Sequence, residues 1–253
     1  MEELLISDRE SVLTLTLNRP EKRNALNDSL IRALKEAFLE SADDRELKAI
    51  VVKGAGKDFC SGADLSALQK IADGGILENL EDAEALMELF LVIRKHPVPV
   101  IAAVHGRALA GGCGLATACD LVIASETARF GYPEVKIGFV PAMVMAILRR
   151  NISEKQAFEL LTRGFEFTAQ RALSLGLINQ IFDETSFEEE IVNYAGLFAK
   201  LSGSAVRLSK KLLYQMDAQT FENALSLGAE INAIARLTDD CQTGIARFLN
   251  KKD

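Results

Sequence analysis

The sequence predicts an α/β fold on the strength of three observations. The chain has 253 residues and 49% of them are hydrophobic, which is enough to bury a sizeable core. Short apolar runs rich in β-branched residues alternate with stretches of helical periodicity, a pattern that favours parallel strand pairing. The last quarter of the chain has helical periodicity almost throughout. We therefore expect an α/β core followed by a helical C-terminal part.

Each element follows from local periodicity. Strands are predicted at 12–17, 49–52, 98–104 and 121–124. Helices are predicted over 27–44, with Asn27 as the cap, and over 77–95 and 111–119. Beyond residue 153 a strand pattern recurs at 177–182, and helices are predicted over 188–200, 204–216, 220–237 and 239–250. No repeat of fixed period and no low-complexity linker interrupts this order.

Composition argues against several classes of function. The net charge of −7 disfavours nucleic-acid binding, and no window approaches 18 uninterrupted apolar residues, so we expect no membrane span. The N-terminal residues lack the pattern of a signal peptide, and the four cysteines lack the paired spacing of a metal site. The chain has only two histidines, His96 and His105, which offers few imidazole ligands for a metal centre, so no metal is predicted. A reduced, cytoplasmic setting is the expectation.

Three glycine-bearing segments lie where strands meet helices: 57–65, 105–120 and 128–142. In the second, Gly111 and Gly112 open a helix, so their unpaired amides favour a negative or developing negative oxygen. Two such amides from separate segments would form an oxyanion hole. Glycine pairs at helix starts also serve close packing, and the residues alone leave both interpretations open.

Two side chains in these segments are candidates for chemistry. Cys113 with His105 suggests a thiol nucleophile, although a small core cysteine is the simpler interpretation. Glu134 follows Pro133 among apolar neighbours, and such an acid tends to a raised pKa suited to proton transfer near neutral pH. A solvated turn glutamate is the alternative. No run of glycines in the sequence has the spacing of a phosphate-binding loop.

Five blocks together resemble the crotonase family, the enoyl-CoA hydratase/isomerase group. They are, in family order, LNRPEKRNALN (17–27), GAGKDFCSGADL (54–65), PVPVIAAVHGRALAGGCGLATACDLVIAS (97–125), ARFGYPEVKIGFVPA (128–142) and LTRGFEFTAQRALSLGLINQI (161–181). The resemblance implies a spiral of repeated ββα units over 1–195 and a helical oligomerisation subdomain over 196–253. It also implies a homotrimer, with trimers pairing into hexamers. An acyl-CoA thioester is the implied substrate, with no tightly bound cofactor because coenzyme A is part of that substrate.

The resemblance also implies roles for individual residues. Ser61 and Gly111 would donate the two backbone amides that hold the thioester oxygen, and Glu134 would be the catalytic acid/base. Residues expected to contact the substrate or its coenzyme A are Lys22, Arg23, Ala25, Ser61, Gly62, Ala63, Asp64, Gly111 and Gly114. Phe248 and Lys251 are stand-ins for the family's C-terminal contacts to the adenine.

The departure from the family pattern falls on Gly114, where hydratases of this group usually carry a glutamate twenty residues before the one matched by Glu134. Three interpretations follow. In the first, Glu134 hydrates a 2-enoyl-CoA, with water or a substrate carboxylate in the space left by Gly114. In the second, Glu134 moves a proton between carbons, as in Δ3,Δ2-enoyl-CoA isomerases. In the third, the protein binds acyl-CoA without catalysing a reaction. A substrate carboxylate would need a basic partner, for which the sequence offers Arg107, Arg149 or Arg150.

Overall fold

The computed structural model describes residues 2–250, apart from the side chain of Leu65. Strands within this part of the chain are β1 (Leu4–Arg9), β2 (Val12–Leu17), β3 (Ala49–Gly54), β4 (Val100–Val104), β5 (Arg107–Leu109), β6 (Leu121–Ser125), β7 (Arg129–Gly131), β8 (Glu166–Thr168) and β9 (Gln180–Phe182). The helices that precede the C-terminal part are α1 (Asp28–Ser41), α2 (Leu65–Asp73), α3 (Ile76–Lys95), α4 (Gly111–Ala118), α5 (Ala142–Asn151), α6 (Glu154–Arg163) and α7 (Ala169–Leu175). The last four are α8 (Phe187–Ala199), α9 (Gly203–Gln215), α10 (Phe221–Arg236) and α11 (Asp239–Asn250).

A six-stranded sheet, ordered β1-β2-β3-β4-β6-β9, forms the centre of the molecule. The β1–β2 pair is antiparallel and every other pair is parallel, which confirms the predicted parallel pairing. Alternate residues of β3 explain why the sheet is covered on both faces: Ile50 and Val52 join the main core, whereas Ala49 and Val51 pack with α8.

A second sheet of three short strands, β5-β7-β8, was not predicted, because three residues are too few to show an alternating pattern. Its β5 and β7 are parallel, with Leu109 opposite Gly131. Parallel strands end at the same edge, so the segments that follow them, Ala110–Gly111 and Pro133–Glu134, emerge side by side. The N–H of Ala110 donates to the carbonyl of Gly131 at 2.9 Å. This small sheet positions two of the predicted site segments.

The predicted helices are present with ends shifted by a few residues. Asn27 caps α1 as predicted, its side-chain oxygen accepting from the N–H of Leu30 at 2.8 Å. The helical C-terminal region is confirmed. The predicted division at residue 195 falls inside α8, whose Ala195 is buried against the sheet, and the division itself stays a prediction.

The C-terminal helices are attached to the core mainly through α9. Lys210 donates to Asp120 at 2.6 Å and Tyr214 donates to the same carboxylate at 2.5 Å. By contrast, neither α10 nor α11 buries any residue within the chain. Large apolar side chains on these two helices and the turn between them are exposed: Phe221, Leu225, Ile234, Leu237, Ile245, Phe248 and Leu249. No helix in residues 2–250 combines the length and apolar character needed to cross a membrane.

Candidate active site

A cavity of about 600 Å³ opens where the two loops that leave β5 and β7 face α2, α3 and α5. Four of the sequence-predicted site residues line it: Ser61, Ala63, Gly111 and Glu134. Most of the remaining wall is apolar, including Leu26, Leu86, Phe90, Met143 and Val144. A largely apolar cavity with a few convergent polar groups is the usual form of a small-molecule site.

The segment 61–64 is held by backbone hydrogen bonds to 23–26, and these decide which amide is free. The N–H of Ser61 donates to the carbonyl of Arg23 at 3.0 Å, and the N–H of Asp64 donates to Leu26 at 2.9 Å. No described residue accepts from the N–H of Ala63. The prediction that Ser61 offers its amide is therefore wrong, because that N–H is already used. Ala63 is exposed and presents the unpaired amide instead.

The start of α4 supplies a second unpaired amide. The first hydrogen bond of the helix runs from the N–H of Gly114 to the carbonyl of Ala110 at 2.9 Å, and no described group accepts from the N–H of Gly111. Ala110 has φ 49°, a conformation that costs free energy for a non-glycine residue and is common at functional sites. A Cβ placed on Gly62 would lie 3.7 Å from the nitrogen of Gly111. The two loops are therefore in contact at the cavity.

Gly112 has a packing role, which is one of the two interpretations that the sequence left open. A Cβ at this position would lie 2.7 Å from both Cβ and Sγ of Cys60. Side chains cannot approach this closely, so the helix start can sit against the segment before Ser61 only if residue 112 is glycine. A Cβ on Gly111, by contrast, would meet only ordinary contacts at 3.6 and 3.7 Å, from Leu26 and Leu86. These two leucines line the cavity, so a side chain on Gly111 would occupy space in it.

Glu134 is a half-buried carboxylate in the turn Pro133–Ile137 that follows β7. Its Oε2 atom is buried without a hydrogen-bond partner among the described residues. Burial disfavours the charged form, so the pKa of Glu134 is raised above its ordinary value. An unpaired carboxylate that lines a cavity and has a raised pKa is suited to accept and return a proton.

Two other carboxylates line the cavity, Asp28 and Asp82. Asp28 pairs with Lys70 at 2.7 Å. The pKa of Asp82 is raised first by burial and then by the charge of Asp28, and Lys70 partly offsets the rise. Asp82 is therefore the second titratable group of this cavity with a perturbed pKa, and no local pattern in the sequence points to it.

Gly114 does not line the cavity, contrary to the prediction that it contacts substrate. It is buried, and a Cβ there would lie 2.6 Å from Cγ1 of Val144 and 3.0 Å from Cζ of Phe90. The carboxylate that the family pattern places here is absent, as the sequence indicates. The space is filled by two apolar side chains, however, so the expectation of room for water or a substrate carboxylate is wrong.

Asp64 and Ala25 belong to an internal network that supports the site. The buried Asp64 accepts from the N–H and hydroxyl of Ser66, and from Nη2 of Arg19 at 2.6 Å. The backbone bond from Ser66, followed by the other donors, lowers the pKa of Asp64 to about 2. Arg19 also donates to the carbonyl of the buried Ala25 and pairs with Glu3 at 3.0 Å. These contacts give both residues a structural role, and their predicted contact with the substrate stays a prediction. Sequence reasoning missed Arg19.

The remaining predicted groups are dispersed. Lys22 and Arg23 are exposed beside the segment 61–64, and no ion pair within residues 2–250 engages them. Arg107 pairs with Glu166 at 3.5 Å and does not line the cavity. Phe248 is exposed on α11, and Lys251 lies outside the described residues.

The alternative of a thiol nucleophile is not supported. Cys113 is fully buried, and burial raises the pKa of its thiol to about 12. His105 instead contacts the carbonyl of Gly56 at 3.0 Å through its Nε2. A thiol with such a pKa stays protonated at neutral pH and is a poor nucleophile.

The sequence and the fold match proteins of one family throughout. The model of the enoyl-CoA hydratase/isomerase family matches residues 7–253. The chain belongs to this family, whose fold is that of crotonase. A relative from Thermus thermophilus named "Putative enoyl-CoA hydratase" is 40% identical over 97% of each chain. The 2,3-dehydroadipyl-CoA hydratase of Escherichia coli is 34% identical over 100% of this chain and 97% of that protein. The crystal structure of an enoyl-CoA hydratase from Mycobacterium smegmatis superposes with a TM-score of 0.95, at 33% identity over 99% of this chain and 97% of that chain.

Proposed function

We propose that this protein adds water reversibly to a 2-enoyl-CoA thioester, with Glu134 as the acid/base. The observation that carries the proposal is the unpaired, half-buried carboxylate of Glu134 in a cavity that also exposes two unpaired amides, those of Ala63 and Gly111. Family relatives named as hydratases support the same chemistry. Coenzyme A enters as part of the substrate, and the exposed cations Lys22 and Arg23 are suited to its phosphates.

The two amides form the oxyanion hole of this proposal. When a nucleophile attacks Cβ of an enoyl thioester, negative charge develops on the thioester oxygen as an enolate. Fixed N–H donors from Ala63 and Gly111 stabilise that charge more than they stabilise the neutral carbonyl, and one such donor contributes about 3 kcal/mol to a transition state. Gly111 begins α4, so the helix dipole acts in the same direction.

Glu134 supplies both proton transfers. Its carboxylate takes a proton from water as the water oxygen bonds to Cβ, and the resulting carboxylic acid returns that proton to Cα of the enolate. The net change is addition of one water across the double bond, and the carboxylate is regenerated. Burial raises the pKa of Glu134, so the free energies of its two forms lie closer at neutral pH than those of an ordinary glutamate.

The filled space beside Gly114 favours a second candidate, Δ3,Δ2-enoyl-CoA isomerisation. Here Glu134 removes a proton from C2 of a 3-enoyl-CoA, and the dienolate is held by the same two amides. The acid then returns the proton to C4. This reaction needs one carboxylate and no bound water, so an apolar wall of Val144 and Phe90 suits it.

A substrate panel tests both candidates. Matched 2-enoyl-CoA and 3-enoyl-CoA thioesters are incubated with the protein and the products are analysed by mass spectrometry and chromatography. A gain of one water identifies hydration, and a shifted double bond at unchanged mass identifies isomerisation. The control is Asp82→Asn, which removes the other perturbed carboxylate. If Asp82→Asn abolishes turnover while Glu134→Gln does not, the role assigned to Glu134 is wrong.

A further inference from the structure

A second cavity, of about 590 Å³, lies behind the first and shares a wall with it. Phe90 and Met143 line both cavities and separate them. Met143 is half-buried at the start of α5, and its unbranched thioether side chain changes rotamer easily. The wall between the two cavities is therefore one aromatic ring and one adaptable side chain.

The second cavity is lined by apolar side chains and by two cations. Leu91, Val122 and Ile147 are among the apolar residues. Arg94 lies one turn beyond Phe90 along α3, and Arg150 lies two turns beyond Met143 along α5, so helix geometry places both guanidiniums away from the wall. Two guanidinium groups presented by two different helices are a common arrangement for binding a carboxylate.

Both arginines are held in place by neighbours. The guanidinium of Arg94 lies 3.8 Å above the ring of Tyr214, and Arg150 donates to the carbonyl of Ala146 at 2.8 Å. Both also contact one carboxylate oxygen of Asp217, Arg150 through its Nε at 3.0 Å. Asp217 thus shows that this pair of arginines accepts a carboxylate.

The charges at this end of the cavity do not balance. Arg94, Arg150 and Asp120 line the cavity, and their ion-pair partners are Lys210 and Asp217, which together gives three positive and two negative charges. The chain as a whole has a net charge of −7, so the local excess of one cation runs against its overall charge. An additional anion at this end would be favoured electrostatically, whereas a cationic group would be repelled.

We propose that the second cavity receives the distal end of the acyl group, and that this end carries a carboxylate bound by Arg94 and Arg150. The inference rests on the proposed function, because the thioester end must occupy the first cavity for the tail to enter the second. The tail passes Phe90 and a displaced Met143, its methylenes contact the apolar lining, and its carboxylate reaches the two guanidiniums. The protein then prefers dicarboxylic acyl-CoA thioesters.

Binding measurements test this preference without requiring turnover. Calorimetry compares saturated six- and eight-carbon dicarboxylic acyl-CoA thioesters with monocarboxylic thioesters of the same length. We expect at least one of the dicarboxylic thioesters to bind the wild-type protein about tenfold more tightly than its monocarboxylic match. Arg150→Gln should abolish the preference and leave binding of the monocarboxylic thioesters within about twofold. The matched control is Arg149→Gln, whose side chain is exposed near Glu154 and outside the cavity.

Two further variants keep the test decisive if Arg150→Gln folds poorly. Asp217→Asn removes the competing carboxylate and should strengthen binding of the dicarboxylic thioesters selectively. Met143→Phe should obstruct the passage between the cavities and weaken binding of the dicarboxylic thioesters. Equal affinity of both thioester classes for the wild-type protein, or equal effects of Arg150→Gln and Arg149→Gln, would overturn the inference. A retained preference in a protein that turns over no enoyl-CoA would instead count against the proposed function alone.

Discussion

At the scale of single residues, the electrostatics of Glu134 connect its function to a cost in stability. The folded protein holds the pKa of this carboxyl above its ordinary value through burial, so folding favours the protonated form. Glu134 contributes to the free energy of unfolding when pH is below its ordinary pKa of 4.5. This contribution is lost as pH rises through the raised pKa of the folded state. Above the raised pKa the ionised Glu134 therefore destabilises the fold, and its retention is explained by chemistry.

The first prediction is that Glu134→Gln separates activity from stability. Turnover of the productive enoyl-CoA should fall by about two orders of magnitude, the usual scale for a general acid–base group. The melting temperature at pH 7 should rise, because a neutral amide replaces the buried charge. Steady-state kinetics and thermal unfolding measure the two effects. Wild-type turnover, or a clear fall in melting temperature, contradicts this assignment.

The second prediction concerns pH. Glu134 must be ionised to take a proton, so kcat/KM should decrease as pH falls through its raised pKa. The acid limb of the profile should therefore lie above the ordinary glutamate value of 4.5. Circular dichroism at each pH separates this limb from unfolding. An acid limb at or below the ordinary value, with the fold intact, argues that a different group titrates.

The third prediction concerns Gly114. Gly114→Glu alone should destabilise the fold by about 1–3 kcal/mol, because the new side chain overlaps Val144 and Phe90. It should not raise hydration. Gly114→Glu combined with Val144→Ala gives the carboxylate room and should raise hydration of a 2-enoyl-CoA above that of Val144→Ala alone. Denaturant unfolding and hydration kinetics measure these effects, and Gly196→Glu, where a Cβ meets nothing within 4 Å, is the control. A gain of hydration in the single variant would mean that the space is open.

Much of the candidate site was predictable residue by residue, and the errors share one cause. Glu134 and Gly111 were predicted and line the cavity. Ser61 was chosen in place of Ala63 because the choice depends on hydrogen bonds to 23–26, which are far away in sequence. Gly114 predicts an open space, because nothing near it in sequence shows that Val144, thirty residues later, fills that space.

At the scale of elements, the segment 61–64 depends on the network of Arg19. Asp64 caps the start of α2, donates its own N–H to Leu26 and holds Arg19, so one residue fixes both sides of the free amide of Ala63. Its pKa of about 2 means that it contributes stability above its ordinary pKa of 3.8 and loses it as pH falls toward 2.

The fourth prediction follows from this network. Asp64→Asn should lower the melting temperature at pH 7 by several degrees, because it leaves the buried Arg19 with a weaker partner. The matched control is Glu188→Gln, which breaks the exposed pair with Lys53 and should change stability little. Thermal unfolding compares the two variants. Equal shifts would show that the internal pair adds no more than a surface pair.

Elements differ in how well the sequence predicts them. The runs at β2, β3, β4 and β6 are long enough for β-branching and apolar content to identify strands. The segments β5, β7 and β8 have three residues each and are strands only because they pair with one another. The sequence therefore predicts the central sheet apart from its first strand, β1, but not the small sheet that positions Gly111 and Glu134.

At the scale of the whole molecule, α10, α11 and the turn between them expose several large apolar side chains, a feature typical of an interaction surface. Leu237 is 83% exposed and Phe221 is 74% exposed. The family resemblance implies a trimer built through the C-terminal helices, and we propose that this surface is its interface.

The fifth prediction is that the protein elutes with three times the mass of one chain in size-exclusion chromatography with light scattering. Leu237→Asp should shift the population toward smaller species, because it places a charge on the apolar surface. Glu230→Lys, a substitution of one charged residue by another on the adjoining helix α10, is the comparison. A monomeric wild-type protein, or a trimer unaffected by Leu237→Asp, would place the interface elsewhere or remove it.

The central claim is that Glu134 moves a proton at Cα of a thioester whose oxygen is held by the amides of Ala63 and Gly111. Proton exchange in D₂O tests it most directly, because hydration and isomerisation share this step. After incubation of 2-enoyl-CoA and 3-enoyl-CoA with the wild-type protein, mass spectrometry should show enzyme-dependent deuterium at C2 of a hydrated product or at C4 of an isomerised one, and Glu134→Gln should reduce its incorporation about a hundredfold. No enzyme-dependent deuterium at either carbon with the wild-type protein, or undiminished incorporation with Glu134→Gln, would contradict the account.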